Sequence, residues 1–354
     1  MSQTTQGGPE RLKVSISMGE TAITLFGVST RDYYFDSDVM ADVEARFWER
    51  FQPDGAGISL TLRGMAEAMG SEMFYKNHCI PSVKTPRVQK PEDVYELRVP
   101  DPLKDGRLPI VLEALVKLKE RLDGRTGVGA GMAGPVSVAI AVCGAENFLR
   151  WTRRYPDEVR RLMEVVTEGN NRYIDELGKR GIVGLSFSDP VASTDLLGHK
   201  QFLEFSLPYF TENVRHGGKV LGKNPGTHIC GHTKGIWEDI VGAGISSFSV
   251  DNVEDLAEAK EVMGNSVALI GNVPPVNVLN LGKEEDIKRS VAECILKAHD
   301  SPKGYVLGSG CQVPLFTPAE NVEAYIRWGK ELGKLPIDTE RLKRIVEESP
   351  QNHG

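Results

Sequence analysis

The chain has 354 residues, of which 40% are hydrophobic and 26% charged, a composition typical of a globular protein with a large core. Its net charge of −7 argues against nucleic acid and against anionic membrane surfaces as partners. The sequence has no apolar run of about 18 residues that could span a membrane, no secretory signal, and only five cysteines. These features predict a cytoplasmic protein whose thiols stay reduced.

The first third of the chain has no regular alternation of elements. Residues 1–10 are polar and glycine-rich, and we predict that they are disordered. Helical spacing of apolar residues and short buried runs indicate the remaining elements. These are a helix over 37–51, a strand over 57–61, a small helix over 65–70, irregular chain over 71–104 and a helix over 109–122.

From residue 127 onward, strands of small and β-branched residues alternate with amphipathic helices. A strand followed by a helix, repeated with short links, is typical of a parallel sheet with helices outside it. The predicted strands are 127–132, 182–188, 226–230, 245–250, 266–271 and 304–309. The predicted helices lie near 145–151, 156–179, 199–214, 234–242, 253–263, 283–299 and 318–332.

Six such strands, the strand over 57–61 and one further strand not placed near the N-terminus would form an eight-stranded α/β fold, the (β/α)8 TIM barrel. An open doubly wound sheet is the alternative. Against it, no Gly-x-Gly-x-x-Gly turn opens a helix after a strand. Since no linker or internal repeat is visible, we predict that residues 11–354 form a single barrel domain with an irregular N-terminal portion.

His228 and Cys230 are the first candidates for a metal site. Two residues apart on an extended segment, they point to the same face, and an imidazole with a thiolate suits zinc. Cys311 follows the last predicted strand, and the carboxyl ends of barrel strands share one face. A His-Cys-Cys set with an open fourth position is typical of catalytic zinc. The alternative is that both cysteines are small buried hydrophobic residues.

Polar residues at other strand ends are candidates for catalysis. Asp189, Asp251 and Asn272 each follow a predicted strand and could contact the substrate or orient a metal-bound group. The alternative is that they cap the following helices. Gly308 and Gly310 would let the backbone there approach a ligand closely.

Together these residues give the chain a resemblance to the uroporphyrinogen decarboxylase superfamily, over roughly residues 95–335. The combination of His-x-Cys with a later Cys resembles its zinc methyltransferase branch, the methylcobamide:thiol (coenzyme M type) methyltransferases. The decarboxylases carry an Arg-bearing N-terminal segment, whereas residues 11–36 here contain only Arg11 and Arg31. The matching motifs are His228-Ile229-Cys230-Gly231, Ser249-Val250-Asp251, Gly271-Asn272-Val273-Pro274, Gly308-Ser309-Gly310-Cys311, Asp189-Pro190 and Gly134-Pro135.

The resemblance implies a barrel in which Zn²⁺, held by His228, Cys230 and Cys311, binds a small-molecule thiol. Zinc lowers the pKa of such a thiol, and the thiolate is the nucleophile. The thiolate would attack the methyl group of a methylcobalamin-type corrinoid, supplied by a separate corrinoid protein.

The first 60 residues do not follow the usual opening of this branch, so the methyl donor and acceptor stay open. One alternative is a demethylase that transfers a methyl group from a methyl ether or methylamine-type donor to a corrinoid protein. A weaker alternative is a uroporphyrinogen decarboxylase-like decarboxylase. The non-enzymatic alternative is a zinc-free barrel that binds a small ligand through its strand-end carboxylates.

Overall fold

The computed structural model describes residues 10–348 of the chain. The predicted disorder of residues 1–10 therefore lies outside the described residues except at Glu10, whose carbonyl oxygen accepts a hydrogen bond from the amide of Leu335 at 2.9 Å. No helix within residues 10–348 has both the length and the apolar character that crossing a membrane requires.

Eight parallel strands of the described residues form one sheet, in the order β1-β10-β9-β8-β7-β6-β5-β2. The amide of Asp54, just before β2, donates to the carbonyl oxygen of Val14 in β1 at 2.8 Å and links the two ends of the sheet. The predicted (β/α)8 barrel is confirmed. Its strands are β1 (Lys13–Val14), β2 (Ala56–Ser59), β5 (Val128–Ala133), β6 (Gly184–Ser188), β7 (Gly226–His228), β8 (Ser247–Ser249), β9 (Ala268–Val273) and β10 (Tyr305–Ser309).

The stretch over 71–104, predicted to be irregular, contains an antiparallel hairpin of β3 (Glu72–Phe74) and β4 (Ser82–Thr85). These strands are too short for an alternating pattern to stand out between the prolines. The prediction of irregular chain was wrong over the hairpin. Strands of this length are stable only when they pair with each other, and the local sequence does not show that pairing.

Helices cover the outside of the barrel and surround its openings. They are α1 (Thr21–Phe26), α2 (Thr30–Phe35), α3 (Ser37–Phe51), α4 (Gly64–Ala68), α5 (Leu108–Leu122), α6 (Pro135–Cys143), α7 (Ala145–Arg154), α8 (Pro156–Lys179), α9 (His199–Phe205), α10 (Leu207–Leu221), α11 (Trp237–Gly242), α12 (Leu256–Met263), α13 (Glu284–Ala298), α14 (Ala319–Leu332) and α15 (Thr339–Glu348). Short segments of 3₁₀ or π-helix cover Pro91–Glu96, Pro190–Ala192, Lys234–Ile236 and Pro275–Asn280.

Four elements differ from the predictions, and two of these differences have a clear physical cause. The helix predicted over 199–214 is two helices, because Pro208 lacks an amide hydrogen and suits the start of a new helix. Helix α6 was missed because nearly all of its residues are apolar and buried, so no amphipathic period is visible. Strand β7 ends at His228 rather than at residue 230, and β9 continues to Val273.

The centre of the barrel is hollow at its carboxyl end. Bulky branched side chains fill the interior of many such barrels. Here glycine and serine occupy several inward positions, and a cavity of about 680 Å³ results. Small residues lining it include Ser15, Ser17, Gly57, Gly129, Gly131 and Ser186. The sequence of the strands thus leaves room for a ligand inside the barrel.

Candidate metal centre

His228, Cys230 and Cys311 converge at the wall of this cavity. The Nε2 atom of His228 lies 3.0 Å from Sγ of Cys230, and the two sulfurs of Cys230 and Cys311 lie 3.2 Å apart. His228 ends β7, and Cys311 follows β10 by two residues. Gly231 turns the chain after Cys230 with a φ of 76°, a value that glycine adopts freely. The predicted proximity of the three side chains is therefore observed, although Cys230 lies beyond the strand.

The imidazole of His228 is held by the end of strand β8. Its Nδ1 atom lies 3.1 Å from both the carbonyl oxygen and the hydroxyl oxygen of Ser249. An oxygen at this position selects the tautomer with a proton on Nδ1. The Nε2 atom then presents its lone pair to the cysteines, the form in which histidine binds a metal.

The three side chains also favour a thiolate. A hydrogen bond from Cys230 lowers the pKa of Cys311 to about 5; burial opposes this, and the neighbouring His228 adds to it. The shared hydrogen bond and burial raise the pKa of Cys230 instead. Burial lowers the pKa of His228, but the hydrogen bond and charge of Cys311 outweigh it and raise that pKa. The lowered pKa of Cys311 favours the thiolate, which is the metal-binding form of cysteine.

Asp251 lies beside this cluster. Its carboxylate, His228 Nε2 and the two sulfurs all fall within 4.8 Å of one another. Its Oδ2 atom accepts a hydrogen bond from the amide of Gly231 at 2.9 Å, and Oδ1 accepts one from the amide of Val253 at 3.0 Å. The carboxylate therefore holds the turn that follows Cys230.

Asp189 does not join the cluster. Its carboxylate is buried and accepts hydrogen bonds from the amides of Val136 and Ser137, at 3.2 and 2.7 Å, and from the Ser137 hydroxyl at 2.6 Å. Burial raises its pKa to about 6, although these hydrogen bonds oppose the rise. Asp189 thus caps α6, the helix that follows the neighbouring strand rather than its own.

Asn272, like Asp189, makes hydrogen bonds to the backbone of a neighbouring segment. Its amide nitrogen donates to the carbonyl oxygens of Asp251 and Glu254, at 3.1 and 2.9 Å. Neither Asn272 nor Asp189 is among the residues that line the cavity. Their contacts are structural, but neither residue caps the helix that follows its own strand, as the capping alternative had it. Their catalytic role stays a prediction.

Gly310 serves packing rather than ligand approach. A Cβ atom there would lie 2.7 Å from the backbone nitrogen of Asn252, in the loop after β8. At Gly308 the nearest obstacle is the side chain of Ile270, at 2.8 Å. The two glycines bring the loop after β10 close to its neighbours, and so help to position Cys311.

Sequence reasoning missed a second wall of the cavity, which the N-terminal portion supplies. Glu20, Tyr33, Tyr34 and Glu44 line it, together with Gln312. One signal was available in α3. Met40, Glu44, Phe47 and Phe51 follow the spacing of a buried helical face, so Glu44 interrupts an apolar stripe.

The donor set suits zinc. Tetrahedral coordination with Zn–S of about 2.3 Å and Zn–N of about 2.0 Å separates two sulfurs by roughly 3.8 Å and a nitrogen from a sulfur by roughly 3.5 Å. The observed separations of 3.2 and 3.0 Å are within small side-chain rotations of these values. The separations of the His228, Cys230 and Cys311 donor atoms therefore fit a zinc ion.

Comparisons with known proteins point to one family. A sequence model of the family described as Uroporphyrinogen decarboxylase (URO-D) matches residues 7–332. The methylated-thiol–coenzyme M methyltransferase of Methanosarcina mazei is 30% identical over 299 residues, covering 84% of this chain and 78% of the relative. The methylcobamide:CoM methyltransferase MtaA of Methanosarcina barkeri is 29% identical over 307 residues, covering 85% and 86%.

Two further comparisons extend this result. A uroporphyrinogen decarboxylase of Methylobacillus flagellatus is 25% identical over 307 residues, covering 84% of each chain. Among solved structures, a methyltransferase from Methanosarcina mazei superposes with a TM-score of 0.82 at 25% identity, covering 92% of this chain and 95% of the other.

Proposed function

The chain belongs to the uroporphyrinogen decarboxylase family, and we propose that within this family it is a corrinoid-dependent methyltransferase acting on a thiol. The resemblance seen in the sequence is thereby confirmed. The observation that carries the proposal is the convergence of His228, Cys230 and Cys311 on a cavity large enough for a small thiol. Relatives named as methyltransferases reach 30% identity, against 25% for the decarboxylase.

The charge of the cavity also favours methyl transfer over decarboxylation of a polycarboxylate. Of the described residues that line it, Arg63 is the only arginine, and none is lysine. Two lining residues, Glu20 and Glu44, are acidic. Several carboxylates of a substrate would be repelled rather than bound there.

In this proposal His228, Cys230 and Cys311 would hold Zn²⁺, whose chemistry is to lower the pKa of a bound thiol so that the thiolate exists at neutral pH. Ser249 fixes the histidine ring, and the Asp251 carboxylate fixes the turn after Cys230. In this proposal Ser249 and Asp251 position the three zinc ligands and are not themselves among them.

The methyl group would come from a methylcobalamin-type corrinoid on a partner protein that docks at the mouth of the cavity. The substrate sulfur forms a bond to the methyl carbon, and cobalt keeps the electron pair of the broken bond. The small side chains inside the barrel leave room for the thiol beside the donors. The need for reduced thiols agrees with the predicted cytoplasmic location.

A second candidate is the opposite direction of transfer, from a methylated substrate to the corrinoid protein. The relative from Methanosarcina mazei is named for a methylated thiol as well as for coenzyme M, which favours a methyl thioether as the donor. Production of methylcorrinoid from reduced corrinoid and a methyl thioether, without the reverse reaction, would identify this direction.

The proposal is tested by metal analysis and by demethylation of methylcobalamin with 2-mercaptoethanol, followed by the absorbance of the methyl–cobalt form. We expect one zinc ion per chain and thiol-dependent demethylation. The variant Cys230→Ala loses both. The matched control Cys143→Ala removes a buried thiol of α6 and keeps both. Zinc-free wild-type protein, or full activity in Cys230→Ala, would contradict the proposal.

A further inference from the structure

The N-terminal wall of the cavity contains two carboxyl groups that lack a cationic partner. We call Glu20, Glu44, Tyr33 and Tyr34 the carboxylate wall. The Tyr34 hydroxyl donates to Oε1 of Glu20 at 2.6 Å, and the Tyr33 hydroxyl donates to Oε1 of Glu44 at 2.6 Å. Within residues 10–348, no lysine, arginine or histidine lies within 4.0 Å of either carboxyl group. The wall is therefore acidic and uncompensated.

The ionisation of Glu44 is disfavoured in this wall. Burial raises the pKa of Glu44 to about 7, and the charge of Glu20 adds to this rise, while the hydrogen bond from Tyr33 opposes it. A buried carboxylate is stable when a positive charge pairs with it. A cationic ligand between the two groups would supply that charge.

The nearest buried cation is already engaged elsewhere. The guanidinium of Arg107 stacks on the Tyr34 ring, with its central carbon 4.6 Å from the ring centroid. Its Nε atom pairs with Glu67 at 2.8 Å. Arg107 therefore lies behind Tyr34 and is not among the residues that line the cavity.

Aromatic rings complete the wall. Tyr33 and Tyr34 pack edge to face with centroids 5.3 Å apart, and Phe47 and Trp48 line the same cavity. Aromatic faces attract ammonium groups, because the ring quadrupole presents negative charge to them. Rings and carboxyl groups thus favour the same kind of ligand.

The wall is joined to the metal donors through one residue. Gln312 follows Cys311, and its side-chain nitrogen donates to Oε2 of Glu20 at 2.6 Å. Glu20 and Cys311 therefore line the same cavity, and the residue that follows Cys311 is hydrogen-bonded to Glu20.

We infer that the small substrate carries an ammonium group, which Glu20 and Glu44 bind while its sulfur lies at the His228–Cys230–Cys311 cluster. The substrate class is an aminothiol or the corresponding methyl thioether. This inference rests on the proposed function for its sulfur end, and on the carboxylate wall for its ammonium end.

The test uses three thioethers that differ only in the group at the end opposite the sulfur, which is an ammonium group, a neutral hydroxyl or a sulfonate. They are 2-(methylthio)ethylamine, 2-(methylthio)ethanol and 2-(methylthio)ethanesulfonate. Their affinities for the zinc-loaded full chain are measured by calorimetry at pH 7. Because none of the three ligands has a free thiol, differences in the ionisation of the sulfur cannot affect the comparison. We expect the amine to bind about tenfold more tightly than the alcohol, and the sulfonate to bind most weakly.

The variant Glu44→Gln keeps the shape of the side chain and removes its charge. We expect it to weaken amine binding about tenfold and to change alcohol binding less than about twofold. The opposite-charge comparison is Arg63→Gln, which removes the one arginine of the lining. It should not lower the ratio of amine to alcohol affinity, because a positive charge near the site opposes binding of a cation.

Tightest binding of the sulfonate, or an equal loss for all three ligands in Glu44→Gln, would overturn the inference. The order of the three wild-type affinities decides this even if a variant does not fold. The calorimetric measurement tests the ammonium site and needs no catalysis. The methylcobalamin assay with neutral 2-mercaptoethanol tests the proposed function and needs no ammonium group. A failure of one is thus distinguishable from a failure of the other.

Discussion

The two walls of the cavity are built in different ways. The metal cluster comes from residues directly after parallel strands, where His228, Cys230 and Cys311 are brought together by the barrel itself. The carboxylate wall comes from helices and loops of the first 50 residues, which form no repeating pattern. Under the two proposals, the strand ends would carry the chemistry, and the N-terminal portion would select the molecule on which it acts.

A second contrast lies within the strand ends. Asp189 and Asp251 both follow a barrel strand and are both buried. Asp251 lies within 4.8 Å of the metal donors, whereas Asp189 turns toward the start of α6. Asp189 follows its strand by one residue and Asp251 by two, so side chains of the same type turn to different neighbours.

The largest expected effect is on the metal cluster. His228→Ala should abolish zinc binding and lower thiol-dependent demethylation more than about a hundredfold, because the metal supplies several kcal/mol to the transition state. The control His216→Ala removes a histidine that pairs with Asp175 at 2.8 Å on the outer helices. Metal content and rate are measured on both variants. Equal rates in the two would break the assignment of chemistry to the strand ends.

The next effect is on stability. Asp189→Ala leaves two amides and a hydroxyl without their acceptor, and should lower the free energy of unfolding by about 2–4 kcal/mol. Asp255→Ala, which removes an exposed cap of α12, should cost about 1 kcal/mol. Denaturant unfolding measures both. A normal stability with lost methyl transfer would instead give Asp189 the catalytic role predicted from the sequence.

The carboxylate wall predicts a pH effect. Glu44 has a pKa of about 7 in the folded protein, against an ordinary value of 4.5, so the folded state holds the proton more tightly. Its contribution to stability is complete below about pH 4.5 and is lost as the pH rises through 7, by about 1–3 kcal/mol. The free energy of unfolding is measured across this pH range for the wild type and for Glu44→Gln. It should fall with rising pH more in the wild type than in the variant. Parallel curves would show that Glu44 is not held in an acidic, uncompensated site.

The smallest expected effect concerns the orientation of the histidine. Ser249→Ala removes the hydroxyl near Nδ1 of His228 but keeps the backbone carbonyl oxygen at the same distance. Zinc affinity should fall by about tenfold or less. The exposed Ser266→Ala is the control. Competition with a chelator measures both affinities, and a complete loss of zinc would show that the hydroxyl is the main support of the ring.

Much of the fold was predictable from the sequence because the alternation of strands and helices is a local pattern. The six strands from residue 127 onward were found to within a few residues. Strand β1 was not, since its two residues, Lys13 and Val14, are recognisable only by their pairing with β10. The same limit applies to α6, whose uniformly apolar sequence has no helical period.

The sequence by itself predicted the fold class and the convergence of His228, Cys230 and Cys311, because residue type and spacing are local properties and strand ends of a barrel share one face. Only the tertiary structure decided which carboxylates face the cavity. The contact between Glu20 and Gln312 joins residues 292 positions apart, and no local pattern records it. The direction of the Asp189 side chain toward α6 was decided in the same way, by packing between neighbouring strands.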